Sequence, residues 1–176
     1  MTKQIIITGF GGQGILFAGK ILAYAALLKG KQLSWLPSYG PEMRGGAANC
    51  HIIISDEPVG SPIITHPDVL VSMNKPSLDK FEATVNPGGI IILDSSLIDR
   101  KVSREDVEAM YVDATALADK NGKGSLANMI MLGAVIQKTG IFTLEEMRAG
   151  AQKAIPASKQ QLLDLNMKMI EIGYSL

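Results

Sequence analysis

The chain has 176 residues, 47% apolar and 19% charged, and its 17 basic and 17 acidic side chains leave no net charge. That is enough apolar material for one domain with its own core and too much for a disordered chain. No basic run marks a nucleic-acid or anionic-membrane surface, and the lone Cys50 allows neither an internal disulfide nor a cysteine-held cluster.

Residues 3–8 (KQIIIT) read as a buried strand, short, β-branched and ended by glycine. Residues 14–29 carry a helical pattern, with Gly30 as its stop. A second strand is expected near 31–36, running into a loop that contains "PSYGPEMRGGAA". Further strands are expected at 48–55, 68–74, 88–94 and 109–115, with a short helix begun by Pro76 between the second and third of these. Ser125 reads as the N-cap of an apolar helix, "LANMIMLGAVIQKT", closed by Gly140. Thr143 and Glu146 have capping-box spacing, and a last amphipathic helix follows Pro156. Strands alternate with helices and are almost continuously apolar. The expectation is one domain over residues 1–176, of α/β class: a three-layer α/β/α arrangement on a Rossmann-like sheet, mostly parallel or mixed.

The N-terminus has a basic residue, an apolar run and "AYAA", but Gln13, Lys20 and the glycines interrupt any signal-peptide core. The run "ILAYAALL" is too short to span a bilayer. A cytoplasmic protein without membrane contact is expected.

Four glycines in "GFGGQG" (9–14) cannot build a core, so the chemistry is sought there. Gly9, Gly11 and Gly14 satisfy G-x-G-x-x-G between a strand and a helix. Such a turn directs bare amide N–H groups at an anion on the helix dipole. A nicotinamide site also needs a carboxylate near position 35 for a ribose, and "SWLPSYG" has none. "GILFAGK" (14–20) imitates a phosphate loop, but Ile21 stands where Mg²⁺ needs a hydroxyl. A turn that only packs helix against strand stays open beside the anion reading. The second unusual segment, "YGPEMRGG" (39–46), should leave the C-terminal end of the second strand beside the first glycine loop, from what is expected to be a neighbouring strand. Its Arg44 is available to a phosphate or carboxylate, or to Glu42.

These two segments, with "DVLVSMN" and "NMIMLGA", resemble the gamma subunit of 2-oxoacid:ferredoxin oxidoreductases, and "YGPEMRGG" is most similar to the 2-oxoglutarate subgroup. The resemblance spans nearly the whole chain. It implies a non-autonomous subunit of an enzyme that makes acyl-CoA, CO₂ and reduced ferredoxin. Thiamine diphosphate, Mg²⁺ and iron–sulfur clusters are then expected on alpha, beta and delta partners, and this chain alone holds no metal and no catalytic residue. Within it, the resemblance places coenzyme A binding at Gly9, Gly11, Gly12, Gln13, Gly14, Tyr39, Glu42, Arg44 and Gly45, with a scaffolding role compatible. A pyruvate- or indolepyruvate-type subunit and a stand-alone nucleotide-binding module are the alternatives.

Other polar residues receive plainer readings. Cys50 is expected in the core, His51 packed or at an edge, and His66 solvated. Asp94 is expected to cap a turn or bind a ligand, and Asn128 to bond a neighbouring loop.

Overall fold

A computed structural model describes residues 1–39 and 47–176. Six strands form one sheet: β1 (Thr2–Phe10), β2 (Gln32–Tyr39), β3 (Ala47–Ser55), β4 (Val69–Ser72), β5 (Ile90–Asp94) and β6 (Glu108–Val112), in the order β2-β3-β1-β4-β5-β6. β1, β4, β5 and β6 run parallel, whereas β3 is antiparallel to both β1 and β2. The sheet is therefore mixed. Its α/β class is as expected, but β1 and β2 are not neighbours, because β3 lies between them. The connection through α1 carries β2 one strand position away from β1, and β3, which follows β2 after a link of seven residues, returns antiparallel to both and fills the gap.

The helices are α1 (Ile15–Leu28), α2 (Lys75–Phe81), α3 (Ala114–Lys120), α4 (Ala127–Thr139), α5 (Leu144–Ala154) and α6 (Leu163–Tyr174). Alternation along the strands sends Ile5, Ile7, Val69, Val71 and Ile92 to one face, where α1, α4, α5 and α6 bury them. Ile6, Leu70, Ile91 and Leu93 face the other side, closed by Leu78 of α2 and by Ile64, Val85 and Ile98 from irregular segments. The second covering layer is thus thin: one two-turn helix and loops. α4 and α6 cross closely enough that a Cβ on Gly133 would collide with the Ile170 carbonyl, and one on Gly173 with the Ile130 carbonyl.

Helix ends follow their residues. α1 stops at Gly30 (φ 74°) and α4 at Gly140 (φ 62°), both in the left-handed region that glycine occupies without strain. In α5, Thr143 Oγ1 accepts from Glu146 N at 3.1 Å, and the Glu146 carboxylate accepts from Thr143 N at 2.9 Å. Asn74 caps α2 by accepting from Ser77 N at 2.8 Å.

Three boundaries differ from expectation. β2 continues through Pro37 to Tyr39, which an edge strand tolerates because one side of it needs no amide donor. The strand expected at 109–115 ends at Val112 and gives way to α3. Asp94, at the end of β5, accepts from the Thr115 amide at 3.2 Å and its hydroxyl at 2.6 Å, while Ser96 Oγ accepts from Ala116 N, so a neighbouring strand end starts this helix. Ser125 is not the cap of α4. It lies in a 3-10 turn (Gly124–Leu126) whose Leu126 amide bonds the Lys123 carbonyl, and α4 starts from Leu126 without a side-chain cap.

Candidate functional site: the glycine turn and its cleft

The run of four glycines divides into two jobs. Gly9 still belongs to β1, and there a Cβ would stand 2.5 Å from Gln13 Oε1 and 2.9 Å from Ile15 Cδ1. Gly9 is therefore required by packing. Gly14 is the N-cap of α1 at φ 72°, where a Cβ would collide with the Asn128 amide. That amide donates to the Gly14 carbonyl at 3.0 Å, so α4 clamps the start of α1. Asn128 thus bonds a neighbouring loop, as its sequence context suggested.

Gly12 differs. Its φ is 99°, a conformation L residues adopt only under strain, and nothing lies within 4 Å of where a Cβ would be. Packing does not demand a glycine there. The turn is tied on both sides: Gln13 N donates to the Phe10 carbonyl at 3.2 Å, and Gln13 Oε1 accepts from Phe10 N at 2.6 Å. Gln13 Nε2 donates to the Met73 carbonyl at 3.0 Å, which braces the turn against the end of β4. The side chain expected to reach a ligand is thus committed to shaping the loop.

The first intrahelical bond of α1 runs from Ala18 N to the Gly14 carbonyl, which leaves the N–H groups of Ile15, Leu16 and Phe17 without a helical acceptor. Among the described residues no side chain caps them, and no acid lies in the first turn. They border a cleft of about 370 Å³, lined by Phe10, Gly11, Gly12, Gly14, the segment Ile15–Phe17, and Ala48. A smaller cleft of about 190 Å³ lies beyond Gly12, between Gln13, Met73, Thr115 and the 3-10 turn before α4. α1 covers one face of the sheet and α2 the other, so the β1–β4 boundary is the topological switch point; the smaller cleft, which reaches Met73, lies there, whereas the larger one, walled by Ala48 of β3, lies on the other side of β1.

The structure thus brings Gly11, Gly12 and Gly14 together at one cleft. Tyr39 ends β2 opposite Ala48, and Phe10 pairs with Ala47, so the second segment leaves and rejoins the sheet at this same edge. Glu42, Arg44 and Gly45 lie outside the described residues. The sequence reading passed over Phe10, Phe17 and Ala48 as cleft walls. Two of the four phenylalanines flank the glycine motif, and that was the available signal.

The remaining candidates are structural. Cys50 is fully buried, and burial pushes its thiol up to about 12 against the opposing pull of hydrogen bonds. An activated thiol needs the reverse. His51 is half-buried; its Nδ1 accepts from Ile64 N at 3.0 Å, and desolvation lowers its pKa. His66 is exposed. Asp94 is fully buried and engaged at α3. Among the described residues, no helix is long and apolar enough to cross a membrane.

Comparison with known proteins gives this geometry a family. Residues 4–176 match the pyruvate ferredoxin/flavodoxin oxidoreductase family. The chain is 43% identical over 171 residues to the ketoisovalerate oxidoreductase subunit VorA of Methanothermobacter marburgensis, covering 97% of itself but only 35% of that relative, so it spans about a third of that protein's length. It is 37% identical to the 2-oxoglutarate synthase subunit KorC of Methanocaldococcus jannaschii, with 100% of this chain and 94% of the relative covered. Among solved structures, the gamma subunit of a keto/oxoacid ferredoxin oxidoreductase from Geobacter sulfurreducens superposes with TM-score 0.83 at 31% identity, covering 98% and 96% of the two chains. The 2-oxoglutarate:ferredoxin oxidoreductase of Magnetococcus marinus, with 2-oxoglutarate, coenzyme A and succinyl-CoA bound, shares the fold at TM-score 0.88 and 21% identity, over 99% of this chain and 30% of that one. The match over nearly the full length of both sequence and fold makes this chain a member of the pyruvate ferredoxin/flavodoxin oxidoreductase family, in its gamma-subunit branch.

Proposed function

We propose that residues 1–176 act as one gamma-subunit domain of a cytoplasmic 2-oxoacid:ferredoxin oxidoreductase. Its contribution is an anion-binding turn for coenzyme A. The observation that carries this is the uncapped first turn of α1, whose three N–H groups open with strained-for-others Gly12 onto a cleft of about 370 Å³. Amides of this kind, at the positive end of a helix, stabilise a diphosphate or phosphate. From the sequence, Tyr39, Glu42, Arg44 and Gly45 complete the proposed coenzyme A site, with Arg44 as the counter-charge. The coenzyme A in the Magnetococcus complex supports the choice of anion.

The chemistry belongs to the assembly. A 2-oxoacid loses CO₂, its carbonyl carbon is oxidised, the acyl group passes to the coenzyme A thiol, and ferredoxin takes the electrons. Thiamine diphosphate with Mg²⁺ and iron–sulfur clusters supply that chemistry on the alpha, beta and delta partners. This chain contributes binding and shape and no catalytic acid, base or nucleophile.

For the substrate we favour 2-oxoglutarate, supported by the "YGPEMRGG" segment and by KorC, which this chain matches end to end. The higher identity to VorA favours a ketoisovalerate-type enzyme as the second reading. Turnover of the assembled complex with 2-oxoglutarate, ketoisovalerate and pyruvate, read by viologen reduction, separates them. Preference for 2-oxoglutarate supports the first, and preference for ketoisovalerate replaces it. Arg44→Ala should raise the Michaelis constant for coenzyme A roughly 10- to 150-fold, the loss of one charge-assisted contact of about 1.5–3 kcal/mol, and leave that for the 2-oxoacid unchanged.

A further inference from the structure

The cleft beside the glycine turn has a second wall that an anion alone does not explain. The chain has four phenylalanines. Phe142 is buried in the larger core, and Phe81 packs against the smaller one. The other two, Phe10 and Phe17, both line this cleft, on either side of Gly11, Gly12 and Gly14. Phe17 keeps its inner edge on the core, whereas Phe10 is 39% exposed. The backbone of Phe10 is fixed three times over: it pairs with Ala47 in the sheet, donates its N–H to Gln13 Oε1 and accepts from Gln13 N. Its backbone is thus held in place by the fold, and the described residues leave its ring partly uncovered.

We infer that Phe10 and Phe17 form the binding wall for the adenine of coenzyme A, beside the phosphate site at the start of α1. This rests on the coenzyme A reading above. Three features select the base over the pantetheine arm. A base is flat and stacks on a phenyl face, whereas a flexible amide chain gains less from a rigid aromatic and needs polar partners along its length. The cleft, at about 370 Å³, suits part of a large cofactor rather than all of it. Among the described residues its side-chain walls are apolar, from Phe10, Ile15, Leu16, Phe17 and Ala48, and its free N–H groups are assigned to phosphate, so the two amides and the hydroxyl of pantetheine find no side-chain partner among them.

The test uses the assembled complex and two halves of the cofactor as competitors: adenosine 3′,5′-bisphosphate, which carries the base, and phosphopantetheine, which carries the arm. Phe10→Ala should raise the Michaelis constant for coenzyme A and the inhibition constant of the adenosine bisphosphate together, at least about fivefold, the lower limit for stacking of one base. Inhibition by phosphopantetheine should not move. Phe10→Trp should restore both constants, which a merely structural role would not allow. If Phe10→Ala weakens phosphopantetheine and spares the adenosine bisphosphate, the assignment of the base is overturned. If Gly12→Val raises the coenzyme A constant and Phe10→Ala leaves it unchanged, the base lies elsewhere and the anion site stands. If neither changes it in an assembled, active complex, the coenzyme A reading itself fails.

Discussion

Replacing Gly12 by valine separates what the turn does for folding from what it does for a ligand. At φ 99° an L residue is strained, which costs about 1–2 kcal/mol, but no atom lies within 4 Å of the new Cβ, so no collision adds to it. For a chain of this size that corresponds to a fall in Tm of about 2–8 °C. The domain should fold and assemble. In the proposed role, however, a coenzyme A phosphate would meet an isopropyl group where the bare backbone stood. Loss of one charged hydrogen bond, about 1.5–3 kcal/mol, corresponds to a rise of roughly 10- to 150-fold in the Michaelis constant for coenzyme A. Gly30→Val is the matched control. Gly30 also has a positive φ, 74°, and open space around it, but it lies at the far end of α1, about 20 Å away. It should lose similar stability and bind coenzyme A normally. A parental Michaelis constant in the assembled Gly12→Val complex would rule out a phosphate site at this turn, as would an equal rise in Gly30→Val.

Other outcomes follow from burial and contact. Cys50 should resist a disulfide reagent in the native chain at pH 8 and react at once in guanidinium, because burial pushes its thiol up to about 12. Gly133→Ala should destabilise the chain by about 1–3 kcal/mol in thermal melts, since its Cβ forces α4 away from the α6 backbone at Ile170. Glu82 is buried, and burial pushes its carboxyl up, but bonds from the Ser103 amide and hydroxyl and from Arg100 outweigh this and hold it below the ordinary range. Its contribution is then fully present above the unfolded carboxylate value and is lost as pH falls through the lower folded value. Glu82→Gln should cost about 1.5–3 kcal/mol near neutrality and flatten the loss of urea resistance below about pH 5.

How far the sequence was legible depended on whether the signal was local. "KQIIIT", "CHIIIS" and "GGIIILD" read as strands because apolar β-branched runs ended by turn residues have few other uses. Thr143 and Glu146 named their own helix start because both halves of that cap lie within four residues. α3 was not legible, because its first amides are held by Asp94 and Ser96, about twenty positions away. Neither was the bracing role of Gln13, which depends on the Met73 carbonyl across the β1–β4 boundary. The short link after β2 makes β3 its antiparallel neighbour, but the second pairing of β3, with β1, joins distant segments and was not legible. At the site, the sequence located the glycine turn but not the division of labour within it. Only the fold shows that Gly9 and Gly14 answer to packing, whereas Gly12 answers to open space.

In the proposed role, this chain brings the coenzyme A site to a multi-subunit oxidoreductase. The direct measurement is coenzyme A binding, by calorimetry, to the co-expressed alpha–beta assembly purified with and without this chain. The chain should co-purify with its partners, and coenzyme A should bind tightly only when it is present. Tight binding to the assembly that lacks it, or a chain that elutes alone, would contradict the account.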